Sequence, residues 1–156
     1  MIKLTRIDDR LVHGQVAFTW VSSLGIDCLV VANEKIAKDE FQKMAMGLAK
    51  PPMVKLVIMT MADSIIFLND HRNKNAKILV LVNCINDALI ITNGVSEIQS
   101  VNFGGIRTRE GSRLISKAIA ITDDDIPVIK LMIDKGLELE IRQVPTDKKL
   151  FVKNLI

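Results

Sequence analysis

The chain has 156 residues, 49% hydrophobic and 25% charged, with 21 basic against 18 acidic side chains for a formal charge of +3. That balance predicts one globular domain spanning 1–156 and excludes a disordered chain. The charges are spread without a basic block, which speaks against nucleic-acid binding.

The first apolar run, "IKLTRI", predicts a strand, and "GQVAFTWVSSLG" predicts the helix after it. Between them "RIDDRLVHGQV", Arg6 to Val16, gathers two arginines, two aspartates and one of only two histidines. The alternation then repeats: "DCLVVA" before "DEFQKMAMGLA", "MVKLVIM" before "ADSIIFLND", "AKILVLV" before "NDALIITNG", and finally "IQSVNF". Nearly continuous apolar strands such as "ILVLV" belong in a sheet covered on both faces, which means mainly parallel pairing. The fold class is therefore α/β: an open, mainly parallel twisted sheet with helices on both faces. Gly25 and Gly94 stand where helix C-caps belong, and Pro51-Pro52 stops the second helix. Thr122 before "DDD" predicts an N-cap with an acidic first turn, opening a helix to about Lys135 that Gly136 stops. "ELEIRQV" predicts a late strand and "DKKLFVKNLI" a closing helix.

With five Phe, one Trp and no Tyr, the core has to come from Ile, Leu, Val, Met and Ala. Cys28 and Cys84 lie in or beside apolar runs without metal-ligand spacing and are expected as buried free thiols. Trp20, at helical spacing from Val16 and Leu24, is expected in the core or an interface. His71, in the polar stretch "NDHRN", is expected to face solvent. There is no signal-peptide h-region, and no apolar run approaches the roughly 20 residues of a bilayer span, so a soluble cytoplasmic protein is expected.

In an open parallel sheet, ligands bind outside the carboxyl ends of the strands. "RIDDRLVHGQV" occupies the first βα loop, and the active site is expected there. His13 would stand at the loop tip or in the first helical turn, where unpaired backbone N–H groups favour an anion. Arg6 and Arg10 add charge and bidentate donors suited to phosphate. A histidine in that position can act as base, metal ligand or phosphoryl acceptor. No second His or Cys stands at ligand spacing, so no metal is expected. The chain has no G-x-S-x-G, no G-x-x-x-x-G-K-[ST] and no G-x-G-x-x-G, so neither a serine nucleophile elbow nor a nucleotide loop is expected. Phosphate chemistry on His13 remains, beside the plainer reading of a polar loop whose Asp and Arg residues cap and pair.

"RIDDRLVHGQV" resembles the active-site segment of the IIB component of the mannose/fructose/sorbose-type sugar phosphotransferase systems. Trp20, "DEFQKMAMGLAKPP" at 39–52, "VNFGG" at 101–105 and "ELEIRQVPTD" at 138–147 are similar to segments that this family places in the same order, so the resemblance spans nearly the whole chain. It implies that His13 accepts a phosphoryl group on Nδ1 from a phosphohistidine on a IIA protein or domain. The group would then pass to a sugar imported through the IIC/IID membrane complex, the chain's only route to a membrane. Arg6 and Arg10 would compensate phosphate charge and steer the partner, Gly14 would let the backbone approach the phosphate, and Gln15 beside it would also bind the phosphate. No cofactor is implied, because the phosphoryl group arrives on an activated nitrogen, without ATP or Mg²⁺.

Asp8 and Asp9 would orient the imidazole or hold an arginine, or else cap the loop. Asn102, Gly104 and Gly105 fit the family pattern and would wall the site from the loop "NFGGIRTREG", whose alternative is a plain turn. Arg107 departs from the small residues usual there, and "NCIND" at 83–87 lacks the proline usual after the fourth strand. A contrasting function on the same fold is a regulatory or anion-binding module that senses an anion without phosphoryl turnover. The sequence names no sugar.

Overall fold

The computed structural model describes residues 1–156. The elements follow the alternation in chain order: β1 (Ile2–Asp8), α1 (Gly14–Leu24), β2 (Cys28–Ala32), α2 (Glu34–Ala37), α3 (Glu40–Ala49), β3 (Lys55–Met59), α4 (Met61–Asn69), β4 (Ile78–Val82) and α5 (Ile85–Gly94). Then come β5 (Ser100–Gly105), β6 (Ser112–Leu114), β7 (Ala120–Thr122), α6 (Asp125–Asp134), β8 (Glu138–Ile141) and β9 (Leu150–Phe151). Seven strands form one sheet in the order β3-β2-β4-β1-β5-β8-β9, parallel except for β9.

Strand order decides which face each helix covers. The crossovers from β1 through β3 step one way along the sheet, and those from β3 through β8 step the other way. Right-handed crossovers therefore put α1 and α3 on one face and α4, α5 and α6 on the opposite one. The cores agree. Ala17, Trp20, Val21 and Met46 pack with Leu29, Val31, Leu79 and Leu81 on the first face. Met61, Ile85, Ile91, Ile129 and Met132 pack with Val30, Val80 and Phe103 on the second. β1 lies between β4 and β5, and both neighbours feed their chains toward the second face while β1 feeds the first. The crevice that this divergence opens lies at the carboxyl end of β1.

Several local expectations change. The closing helix does not form: β9 pairs antiparallel with β8, and a single 3₁₀ turn (Val152–Asn154) follows. The Asp147 carboxylate that could cap such a helix instead accepts from Gln143 N–H at 3.0 Å, and pairing the stretch covers an otherwise open edge of β8. Thr122 is not a helix cap. It belongs to β7, and its N–H donates to the Asp125 carboxylate, so the aspartate accepts and the threonine backbone donates. Gly94 is the last residue of α5 rather than a left-handed cap. A Cβ there would sit 2.6 Å from Ile65 Cδ1, so close packing requires this glycine. Gly25 is the left-handed cap of α1 (φ 64°). Two elements were not anticipated: the short α2, capped by Asn33, and the β6–β7 hairpin. No helix is long and apolar enough to cross a membrane.

Candidate active site

The segment after β1 is held by its own backbone. Asp8 O accepts from Leu11 N–H at 2.9 Å, and Asp8 Oδ1 accepts from Arg10 N–H at 3.1 Å, which closes a tight Asx-type turn. Asp9 N–H donates to Gly105 O at 2.9 Å, tying the turn to β5. Leu11 takes a left-handed conformation (φ 57°), unusual for a branched side chain, and its burial with Val12 in the α1-face core holds it there. His13 follows in extended conformation as the residue before α1, and its ring caps nothing in the helix. Gly14 turns the chain into the helix at φ 41°, where a side chain would be strained.

The ring instead points back to Asp8. His13 Nε2 lies 3.0 Å from Asp8 Oδ2. An ionised carboxylate can only accept, so the bond places a hydrogen on Nε2 and leaves the Nδ1 lone pair unshared. His13 is 23% exposed, while Asp8 is buried at 1%. Asp8 is the hub of the site. Its Oδ2 also accepts from the Arg6 guanidinium at 3.2 Å, and its Oδ1 lies 3.7 Å from Arg10 Nε.

Behind Asp8 a chain of buried polar groups crosses three strands. Arg6 donates to Asn102 Oδ1 at 2.7 Å and to Arg142 O at 3.0 Å. Asn102 Nδ2 donates to Glu140 Oε1 at 3.1 Å. Glu140 is bridged by Arg142 through Nε at 3.0 Å and a terminal N–H at 2.9 Å. Both guanidiniums lie over the Trp20 ring, Arg6 at 5.4 Å and Arg142 at 5.2 Å from its centroid, and the indole N–H donates to Gln143 O. Burial pushes the Arg6 guanidinium below its ordinary range, opposed by the attraction of Asp8. The hydrogen bond to Glu140 moves Arg142 the other way, against the opposing effect of burial.

The anticipated residues are thus partly gathered and partly dispersed. Arg6 is the main correction. At 2% exposure, donating to Asp8, Asn102 and Arg142 O, it stands behind the aspartate rather than on the open surface expected of it. Arg10 is half exposed at the rim. Gly14 and Gln15 begin α1, with Gln15 exposed. Gly104 and Gly105 belong to β5 itself rather than to a loop. A Cβ on Gly104 would overlap the Arg6 guanidinium, and one on Gly105 would touch the Asp8 carboxylate at 3.5 Å. These glycines are the space that the buried pair fills.

Asp9 points away from the ring and accepts from Arg107 N–H at 2.8 Å and Nε at 3.1 Å. Arg107 therefore has a partner that the sequence reading did not supply. Cys28 is buried but Cys84 only half so, and burial raises both thiols above their usual range. No three His, Cys, Asp or Glu side chains are grouped as metal ligands are. Glu140 and Arg142 were missed as site residues. Their signal was a carboxylate between Leu139 and Ile141 on a strand buried on both faces, where an acidic side chain needs a partner.

The family described as "PTS system sorbose subfamily IIB component" matches residues 2–156. The mannose-specific EIIAB component of Escherichia coli (strain K12) is 33% identical over 156 residues, covering 100% of this chain and 48% of that protein. The chain thus spans about half the length of the EIIAB relatives it matches. The sorbose-specific EIIB component of Lacticaseibacillus casei is 29% identical over 147 residues, covering 94% of this chain and 90% of the relative. Among solved structures, the IIBSor domain of the sorbose permease from Klebsiella pneumoniae superposes with a TM-score of 0.93 at 25% identity, covering 99% of this chain and 94% of that one.

Proposed function

This chain belongs to the sorbose subfamily of IIB components of the sugar phosphotransferase system, and from that premise we propose that His13 carries the phosphoryl group. A IIA phosphohistidine donates it, and a sugar hydroxyl at the IIC/IID membrane complex receives it. The observation that carries this reading is the 3.0 Å contact between His13 Nε2 and Asp8.

In the first step Nδ1 attacks phosphorus, the N–P bond of the donor breaks, and the Nδ1–P bond forms. No proton moves at His13, because the hydrogen stays on Nε2, donated to the Asp8 carboxylate. Phosphorylation makes the ring cationic, and the buried carboxylate is already in place to stabilise that charge. Arg10 at the rim and the uncapped N–H groups opening α1 face the transferring oxygens, and phosphoryl transfer depends mainly on such positioning and charge stabilisation. In the second step the sugar oxygen replaces Nδ1 at phosphorus and the hydroxyl proton leaves to the medium. Arg6, Asn102, Glu140 and Arg142 hold Asp8 in place rather than touch phosphate.

Incubation with phosphoenolpyruvate, the general phosphotransferase proteins and a IIA protein tests the reading by intact mass and peptide mapping. One acid-labile phosphoryl group on the His13 peptide is expected. His13→Ala should abolish it with an unchanged melting curve, since the ring is only one branch of the network. No adduct would favour an anion-sensing module without turnover, and label on His71 would refute the assignment.

A further inference from the structure

Arg6 lies too deep to guide a partner, yet the surface beside His13 is not without exposed cations. A groove of about 490 Å³ runs between the β1–α1 loop and the chain from Gly105 to Ala118, and Arg10, Arg107 and Lys117 line it. Its carboxylate, Asp9, is already engaged by the backbone and Nε of Arg107. The terminal nitrogens of Arg107 make no hydrogen bond, and its side chain is 72% exposed. Lys117 is exposed and forms no ion pair. Three cations against one paired carboxylate leave the groove positive. Leu114, exposed on the same wall, makes it part-apolar.

We propose that this groove receives an acidic, part-apolar segment of the IIA donor, aligning its phosphohistidine with His13. The inference rests on His13 being the acceptor. A small phosphate ester would need donors converging on one point in a closed pocket. Here the cations come from three separate segments, the β1–α1 loop, the end of β5 and the β6–β7 turn, and they surround an open trough. That arrangement suits carboxylates spaced along a chain with an apolar side chain between them. Arg10 is common to the groove and the hub, since its backbone N–H is bound to Asp8. A segment seated in the groove therefore lies against the loop that holds the acceptor. Charge placed this way acts on encounter rather than on the chemical step.

The test compares two charge reversals of equal net effect. Lys117→Glu lies in the groove. Lys55→Glu lies on edge strand β3, at the opposite, amino end of the strands. With subsaturating phospho-IIA, rapid-quench transfer to Lys117→Glu should slow about tenfold or more and depend less steeply on salt, while Lys55→Glu stays within about twofold of the native chain. With phosphoramidate as a small donor, all three proteins should be phosphorylated at one rate. Equal slowing by both reversals would mean that net charge alone acts and would overturn the groove. Slowing with phosphoramidate as well would place Lys117 in the acceptor site and overturn docking. An unchanged rate for Lys117→Glu with phospho-IIA, or an effect confined to the sugar step, would also overturn it. If neither donor phosphorylated His13 in the native chain, the acceptor reading would fail first and take the groove with it.

Discussion

On the α1 side of the sheet, β2 and β4 present Leu29, Val31, Leu79 and Leu81, whereas β1, β5 and β8 present Arg6, Asn102 and Glu140. Both regions are almost fully buried, but they are covered differently. The crossovers carrying α1 and α3 run from β1 toward β3 and lay apolar helix faces over the first region. No helix is carried over β5 and β8 on that side. Trp20 and the chain after β8 cover them instead, joined by the indole N–H to Gln143 O. Where helices cover the sheet, burial of apolar area stabilises it at about 25 cal/mol per Å². Where they do not, each buried charge depends on a specific opposite charge, and removing one leaves its partner desolvated and unpaired. The apolar region holds the strands together. The polar region also fixes where one carboxylate stands.

The largest effect that tests this contrast is expected from Arg6→Met, which keeps bulk but strands Asp8 and Asn102. Breaking one member of a buried ionic network costs about 3–5 kcal/mol, read as a lowered denaturation midpoint. Because Asp8 is no longer held from behind, transfer to His13 should also slow roughly ten- to a hundredfold. A variant as stable and as fast as the native chain would show the network to be passive filling.

Leu79→Ala, on the same face under α1, should cost a similar or slightly smaller amount of stability, about 2–5 kcal/mol through lost burial and the cavity left behind. Its transfer rate, measured well below its melting temperature, should match the native chain. Loss of rate in step with loss of stability would erase the distinction between the two regions.

The smallest effect belongs to the rim. Arg10→Lys keeps the charge at a half-exposed position 3.7 Å from Asp8. Its melting temperature should therefore move little, since exposed pairs contribute about 0–1 kcal/mol. Loss of the planar fork should still slow phosphoryl transfer by about tenfold. Equal rates for both side chains would leave Arg10 only its backbone role in the turn.

How far the sequence could be read follows the same line. The alternation of strand and helix, the parallel sheet covered on both faces and the collection of polar residues after β1 are local patterns, and they were legible. Local patterns also misled. "DKKLFVKNLI" has no feature that marks its pairing with β8, and Thr122 stands before an acidic run as a cap would, yet the neighbouring hairpin recruits it into β7. Asp8 and Asp9, adjacent and alike in sequence, take different partners, one the histidine ring and the other Arg107, because successive side chains at the end of a strand point to opposite faces.

By itself the sequence determined the fold class, the family and the position of His13 at the end of the first strand, because side-chain periodicity and βα-loop chemistry act over a few residues. Only the tertiary structure decided what stands around the histidine. Whether Arg6 faces solvent or Asp8, whether Gly104 is a turn or a space left for a guanidinium, and whether Glu140 and Arg142 belong to the site all depend on β5 lying beside β1 and β8 beside β5. That order is set by the packing of the whole sheet and by the hand of its crossovers. A charge buried in a strand can signal that it needs partners, but only the assembled sheet brings Asn102 and the Arg142 carbonyl to Arg6, from 96 and 136 residues away.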